Sequence, residues 1–181
     1  GVQGVPPNTT RAEVVNLSLG GPADAQGQQV WSEVVDIITN REGANYGYPI
    51  LVTAAGNSNE SVENIVPADI PAMITVGASR VDGRRAEYSN WGPSIDVMGP
   101  GGQSSVDQNV DGFPDGVLSL YANEYDFEQG TSMAAPHVSG VIALALSIDP
   151  TLDQARAQQL IRLSADPAGV CNEGCGTGYL D

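Results

Sequence analysis

The stretch GTSMAAPHV, residues 130–138, decides the fold because it joins a glycine turn to the most apolar segment of the chain. From Ser132 to Ile148, apolar residues occupy most of the helical circumference, which predicts a central helix buried on nearly all sides. Ser132 opens this helix, so its hydroxyl lies at the positive end of the helix dipole beside unpaired backbone N–H groups. Such a position can stabilise the oxyanion of an acyl-transfer intermediate. The alternative is that Thr131 and Ser132 only cap the helix, as serines before helices usually do.

Upstream of this segment, apolar strands alternate with a helix, which predicts an α/β fold: three layers, with a mainly parallel sheet flanked by helices. The strand candidates are Val14–Leu19, Ile50–Ala54, Met73–Gly77 and Ile95–Met98. Between the first two strands, residues 28–41 predict an amphipathic helix, whose apolar stripe comprises Val30, Val34, Ile37 and Ile38. After the central helix, Thr151 and Gln154 have the spacing of a capping box, which predicts a last helix to about Ser164.

Residues 99–129 differ in composition, because glycine, aspartate, asparagine and proline dominate them. This stretch is interpreted as an acidic surface insertion that carries a hairpin of residues 116–121 and 125–129. Within it, oxygen side chains occupy positions 1, 3, 5 and 9 of a loop with glycine at position 6; these residues are Asp107, Asn109, Asp111 and Asp115. The spacing favours a calcium site. Leu118 at position 12 rules out an EF-hand, and the alternative is a solvated acidic loop.

Charge and composition exclude several classes of function. The 181 residues include 7 arginines, no lysine, 22 acidic residues and one histidine, for a formal net charge of −15. Such an acidic surface repels phosphate backbones, so nucleic-acid binding is not expected. No apolar run approaches the length needed to span a bilayer, so no membrane association is expected. The composition suits a secreted protein better than a cytosolic one.

Two further loops follow predicted strands, where the ligand-contacting loops of parallel sheets gather. The first contains Asn57, whose side-chain amide can offer an N–H to an oxyanion. The second is Ser-Leu-Gly-Gly, residues 18–21, whose glycines leave the backbone open to an extended peptide. Each loop taken singly is better explained as a turn, but three such loops at strand ends or helix starts favour a site.

These residues resemble those of the subtilases, the subtilisin-like serine endopeptidases. The resemblance covers nearly the whole chain and lies in family order in Val15–Pro22, Leu51–Asn57, Pro71–Ala78, Tyr88–Pro100, Gly130–Gly140 and the tail Gly176–Asp181. It implies a subtilisin-like fold in which Ser132 is the nucleophile. The side chain of Asn57 and the backbone N–H of Ser132 would form the oxyanion hole. One wall of the P1 pocket, which pairs with the substrate backbone, would consist of Ser18, Leu19 and Gly20. The other wall would consist of Ala54, Ala55 and Gly56.

One departure from the family pattern limits this interpretation. Subtilases order their triad Asp, His, Ser, with both partners before the strand that matches Val14–Leu19, and neither block occurs in this sequence. The single histidine, His137, lies five positions after Ser132, roughly 140° around and about 7.5 Å along the helix, which is out of reach of the hydroxyl. Residues 1–181 are therefore expected to be one domain, the C-terminal portion of a peptidase domain without its first strands.

The missing residues leave two functions open. The first is a serine endopeptidase that acylates Ser132, with the triad histidine and aspartate supplied by the absent N-terminal segment; alone, the chain is expected to be inactive. The second is a non-catalytic, calcium-stabilised module that binds extended peptides. The chain could be a recombinant or processed fragment, one of two chains that share a site, or a natural pseudo-peptidase. Polypeptides are the expected ligands in each case.

Two cysteines, Cys171 and Cys175, lie four positions apart. A disulfide is favoured over a metal pair, because no other soft ligand accompanies them and the only histidine is expected to be buried in a distant helix.

Overall fold

A computed structural model describes residues 12–39, 49–167, 171 and 174–180. The central sheet is parallel and has the order β1-β3-β5-β6. Its strands are β1 (Val14–Leu17), β3 (Ile50–Ala54), β5 (Ile74–Ser79) and β6 (Val97–Pro100). Two antiparallel pairs accompany it: β2 (Gly21–Pro22) with β4 (Ile65–Val66), and β7 (Val117–Tyr121) with β8 (Glu124–Glu128). The helices are α1 (Ala25–Thr39), α2 (Thr131–Ile148) and α3 (Gln154–Ser164).

The alternation of side chains along the strands produces three layers. In β3, Ile50 and Val52 face a core shared with α2 and α3, whereas Leu51 packs with Val35 of α1 on the opposite side. All residues of β3 and β5 are buried, as expected for central parallel strands covered on both faces. The α/β fold predicted from the sequence is confirmed.

Helix α1 turns a different face to the sheet than the one predicted. It begins at Ala25, where the Asp24 carboxylate accepts the Gly27 N–H at 2.9 Å, and the predicted end at Arg41 lies outside the described residues. Val35 is 2% exposed and packs on the sheet with Trp31. The predicted stripe is exposed: Val30 53%, Val34 41%, Ile37 62% and Ile38 38%. The spacing located a helix, but the helix carries apolar residues on two faces and the sheet covers only one.

Helix α2 is buried on its inner face and not on nearly all sides. Its buried residues are Thr131, Ala134, Ala135, Val138 and Ile142, whereas Leu144 and Ile148 are exposed. By length and composition alone α2 could cross a membrane, so the expectation that no apolar run reaches that length was wrong. However, α2 contacts β1, β3, β5 and β6, as a core helix does. Core helices can be as long and as apolar as membrane-spanning helices.

The cap of α3 also differs from the prediction. Asp153 is the N-cap residue, and its carboxylate accepts the Arg156 N–H at 2.8 Å. Thr151 instead donates its hydroxyl proton to the Asp149 carboxylate, which also pairs with the Arg156 guanidinium. These contacts lower the pKa of Asp149 to about 2. The predicted end of the helix at Ser164 is confirmed.

Beyond β6, the chain forms the acidic insertion and the predicted hairpin. A bridge between Gln103 and Asp115 closes the insertion, and β7 then pairs with β8. Leu118 lies opposite Phe127, which stacks on Phe113 at 6.1 Å between ring centroids. The hairpin leads directly into Gly130 and so delivers the chain to the start of α2.

Candidate active site

The turn before α2 holds Ser132 at the first turn of the helix. Gly130, with a φ of +150°, is the N-cap residue, and its N–H donates to the Gly101 carbonyl at 3.0 Å. The Tyr88 hydroxyl lies 2.8 Å from that carbonyl oxygen and 2.7 Å from the one of Gly102. Burial raises the pKa of Tyr88 to about 12, so its hydroxyl stays a donor even at alkaline pH. The glycine turn is therefore attached to the end of β6.

Asn57 follows β3 and is fixed by Thr131. Its Oδ1 accepts both the backbone N–H and the hydroxyl of Thr131, each at 2.9 Å. The Thr131 Oγ1 in turn accepts the Gly56 N–H at 3.1 Å. Because Oδ1 is engaged twice, the amide has one orientation, with Nδ2 as its remaining donor. Thr131 is completely buried and was missed as a functional residue, since the sequence suggested only a cap.

A second asparagine, Asn90, holds the same loop from behind. Its Oδ1 accepts the N–H groups of Ser58 and Glu60, and its Nδ2 donates to the Ala55 carbonyl at 3.0 Å. Gly56 has a φ of +105°, and a Cβ at this position would lie 2.4 Å from Asn90 Nδ2. Only glycine fits here. Asn90 lies in the stretch Tyr88–Pro100 that resembles the subtilases, but no local pattern indicated its partners.

The structure brings Ser132 and Asn57 to one cavity of about 320 Å³. The predicted substrate-binding residues that also line it are Ser18, Leu19, Gly20, Ala54 and Gly56. The prediction that Ala55 forms part of a pocket wall is wrong. Its side chain is completely buried and packs with Val62, Ile95 and Met98. In an extended chain, neighbouring side chains point to opposite sides, and Ala55 points inward.

Comparison with known proteins agrees with this geometry. The chain matches the model of the subtilase family over residues 3–178. The chain belongs to the subtilase family. It is 37% identical to an extracellular protease of Xanthomonas campestris pv. campestris and 35% identical to an extracellular basic protease of Dichelobacter nodosus. Each match covers 99% of this chain, but only 29% and 28% of the respective relative.

Solved structures show the same fold. A protease from Pseudoalteromonas arctica superimposes with a TM-score of 0.78 and 33% identity, covering 100% of this chain and 52% of that one. A cold-adapted subtilisin-like serine proteinase gives a TM-score of 0.72 and 27% identity, covering 96% of this chain and 57% of that one. This subtilase chain thus spans about half of those structures and less than a third of the two named extracellular proteases.

His137 cannot serve Ser132 as a base in this chain. Its Nδ1 lies 2.8 Å from the Met133 carbonyl oxygen, within the helix. The expectation that His137 is buried was wrong, because its ring faces away from the sheet and is exposed. Its position five residues after Ser132 on one helix keeps the two side chains on different faces.

In the insertion, the predicted calcium ligands bond to their own loop. Asp107 accepts two backbone N–H groups, at 3.1 and 3.0 Å, and Asp115 accepts the Gln108 N–H at 2.6 Å. The Asn109 amide donates to the Asp111 carboxylate at 2.8 Å. Within the described ranges, no three His, Cys, Asp or Glu side chains are grouped so that they could hold a metal. The loop in this conformation does not fit a calcium ion, and calcium binding stays a prediction.

Cys171 and Cys175 form a disulfide, with Cα atoms 6.2 Å apart. Cys175 packs in the cluster that contains Ala55, Val62 and Met98. The bridge therefore supports the back of the loop that carries Asn57, and it does not form the alternative metal pair.

Proposed function

We propose that this chain is the C-terminal part of a serine endopeptidase that hydrolyses peptide bonds through an acyl-enzyme on Ser132. The observation that carries the proposal is the fixed amide of Asn57, which lines the same cavity as Ser132 with Nδ2 as its remaining donor. Its family relatives are named proteases. Ser132 is placed at a helix N-terminus, where backbone N–H groups lack helical partners.

The chemistry assigned to this chain is attack and stabilisation of charge. The Ser132 oxygen adds to the carbonyl carbon of the scissile bond, and the carbonyl oxygen becomes an oxyanion. The Ser132 N–H and Asn57 Nδ2 donate to that oxygen, and the fixed orientation of the amide means that little reorganisation is needed. The proton of the hydroxyl goes to a histidine outside this chain, which returns it to the leaving amine as the C–N bond breaks. Water then attacks the ester on Ser132, which releases the acid and restores the hydroxyl.

We propose that substrates are polypeptides bound in extended form beside residues 18–20. Gly20 lies against β4, where a Cβ would approach the Val66 carbonyl oxygen to 2.9 Å. Leu19 is 52% exposed and, together with Ile65, gives the cavity apolar surface. An extended peptide could pair with this backbone while one side chain enters the cavity.

The partner that completes the site is proposed to be the N-terminal segment of the same protease. The chain covers about half of the solved relatives, and in its described residues β1 pairs with β3 alone, which leaves an open strand edge. The apolar stripe of α1 is also exposed. A strand added to β1 and a helix laid on α1 would remove both exposed surfaces from water.

Secretion is proposed on three grounds: two relatives are named extracellular proteases, the chain has a disulfide, and its surface is acidic. Calcium is a separate proposal for the insertion. It requires the side chains around Asp111 to rearrange. Calorimetry at neutral pH is expected to show heat of calcium binding that Asp111→Ala abolishes, and no heat from the unchanged protein would contradict it.

The alternative function is a non-catalytic module that binds extended peptides. It is favoured by one observation, that the single histidine of the chain, His137, contacts the Met133 carbonyl and not Ser132. Labelling with a fluorophosphonate separates the two functions, because only an activated serine reacts rapidly.

The test compares the 181-residue chain with the intact protein that also contains the N-terminal segment. The intact protein is expected to be labelled at Ser132 and to cleave a chromogenic peptide ester, whereas the chain alone does neither. Asn57→Ala should lower kcat on the order of 10²–10³-fold, a magnitude known from subtilisin itself. An intact protein that cleaves peptides as well after Ser132→Ala would refute the proposed function.

A further inference from the structure

The backbone carbonyl of Ser132 lacks its usual helical partner. In an α-helix the carbonyl of residue i accepts the N–H of residue i+4. For Ser132 that residue is Pro136, which has no N–H. The proline therefore leaves a free acceptor on the residue proposed to attack the substrate. The Ser18 hydroxyl fills this place and donates to the Ser132 carbonyl at 2.9 Å.

Ser18 is itself held by a short relay of side chains. The Asn16 Nδ2 donates to the Ser18 oxygen at 2.8 Å, which leaves the Ser18 proton for Ser132. On the other side, the Ser139 hydroxyl lies 3.1 Å from Asn16 Oδ1 and 3.1 Å from the Ala135 carbonyl oxygen. Asn16 occupies the face of β1 that meets α2, because it alternates with Val15 and Leu17, which pack on the α1 side.

We propose that Asn16 and Ser18 are positioning residues for the nucleophile. The inference rests on the proposed peptidase function. The backbone is then held both before and after Ser132: the Thr131 N–H, one peptide group earlier, by Asn57, and the Ser132 carbonyl by Ser18. Pro136 makes the second contact necessary.

The consequence concerns the rate of acylation and not substrate affinity. The Ser132 oxygen must lie at the correct distance from both the substrate carbonyl and the oxyanion donors, and a displacement of about 1 Å can cost on the order of 10²-fold. Ser18 is expected to contact substrate through its backbone, which a change of its side chain retains. Loss of its hydroxyl should therefore lower kcat and leave KM unchanged.

The experiment uses the intact protein and measures kcat and KM on a peptide ester. Ser18→Ala is expected to lower kcat about tenfold, the effect of one lost hydrogen bond of about 1.4 kcal/mol, with KM changed less than about twofold. Ser147→Ala is the matched control, because Ser147 donates to the Leu144 carbonyl near the far end of the same helix. It should leave both constants unchanged.

The decisive variant is Ser18→Ala combined with Pro136→Ala. An alanine at 136 restores the helical N–H for the Ser132 carbonyl, so the double variant should regain most of the kcat lost by Ser18→Ala. Asn16→Asp offers Ser18 a carboxylate that attracts its proton away from Ser132, and it should lower kcat as Ser18→Ala does. Ser18→Thr, which keeps a hydroxyl, should have a clearly higher kcat than Ser18→Ala.

Two results would overturn the inference: an unchanged kcat in Ser18→Ala, or a double variant no faster than Ser18→Ala while Ser18→Thr is no faster either. Ser132→Ala distinguishes this failure from failure of the proposed function. If Ser132→Ala abolishes hydrolysis and Ser18→Ala does not affect it, only the positioning role is wrong. If Ser132→Ala retains hydrolysis, the peptidase function itself is wrong.

Discussion

The two edge strands of the central sheet, β6 and β1, differ in what lies beside them. At the β6 edge, the C-terminal tail runs beside the strand: the Met98 N–H donates to the Gly178 carbonyl and the Leu180 N–H to the Met98 carbonyl. At the β1 edge, the described residues supply no strand beyond β1 itself. Helix α3 is joined to the β6 side of the sheet by the ion pair of Arg162 with Asp96, in which Asp96 is buried and Arg162 is partly exposed. Helix α1 exposes apolar side chains such as Ile37.

The two edges hold different parts of the site. The oxyanion side is attached to the closed edge, through Gly130, Gly101 and Tyr88. The nucleophile backbone is attached to the open edge, through Ser18 and Asn16. A segment that covers β1 would therefore also shield the relay from water and strengthen its hydrogen bonds.

The largest effect is expected at the closed edge, for Asp96→Ala. The Asp96 carboxylate is completely buried and accepts the Thr75 N–H at 2.7 Å, the Gln158 amide and the Arg162 guanidinium. Its removal leaves the buried Thr75 N–H without an acceptor and takes from the half-exposed Arg162 its partner, so the free energy of unfolding should fall by about 3 kcal/mol. Urea denaturation measures this change.

Asp96→Asn is the matched control for the charge. It keeps an oxygen acceptor for Thr75 and should cost less than Asp96→Ala. Burial raises the pKa of Asp96, although the Thr75 N–H and Arg162 oppose that shift. A loss below about 1 kcal/mol for Asp96→Ala would show that the closed edge does not depend on this carboxylate.

An intermediate effect should distinguish two neighbouring valines of α1. Val35→Ala removes a completely packed side chain and is expected to lower the free energy of unfolding by about 2 kcal/mol. Val34→Ala, 41% exposed, should cost less than about 0.5 kcal/mol in this chain. In the intact protein the cost of Val34→Ala should rise toward 1 kcal/mol if a segment covers α1. Equal costs in the two proteins would contradict docking on this face.

The smallest effect is a pH dependence that originates at Tyr88. The pKa of Tyr88 is raised from about 10 to about 12 by burial, so the folded state favours the neutral phenol. Its stabilising contribution is complete below pH 10 and is lost as the pH rises through about 12. The difference in unfolding free energy between the unchanged protein and Tyr88→Phe should therefore shrink from pH 9 to about 11.5. Tyr179, whose pKa is also raised, is present in both proteins and cancels. A constant difference would be inconsistent with this origin.

The elements of the fold were predictable because their signals are local. The buried runs of β3 and β5, the hairpin and the helix after Gly130 lie where the sequence placed them, since short apolar runs and turn residues encode them directly. The buried face of α1 was not predictable. Its apolar residues occupy two faces, and only the sheet selects one of them.

Within the site, the sequence alone determined that a serine opens an apolar helix after a glycine turn and that an asparagine follows a buried strand. Only the tertiary structure decided how they are held. Thr131 orients Asn57 across 74 positions of the chain, and Ser18 reaches the Ser132 carbonyl across 114. The pattern of apolar residues along the sequence does not predict such contacts, because they depend on which strands and helices pack together. The sequence shows Pro136, which removes the helical donor for the Ser132 carbonyl. Only the tertiary structure shows that the Ser18 hydroxyl donates to that carbonyl instead.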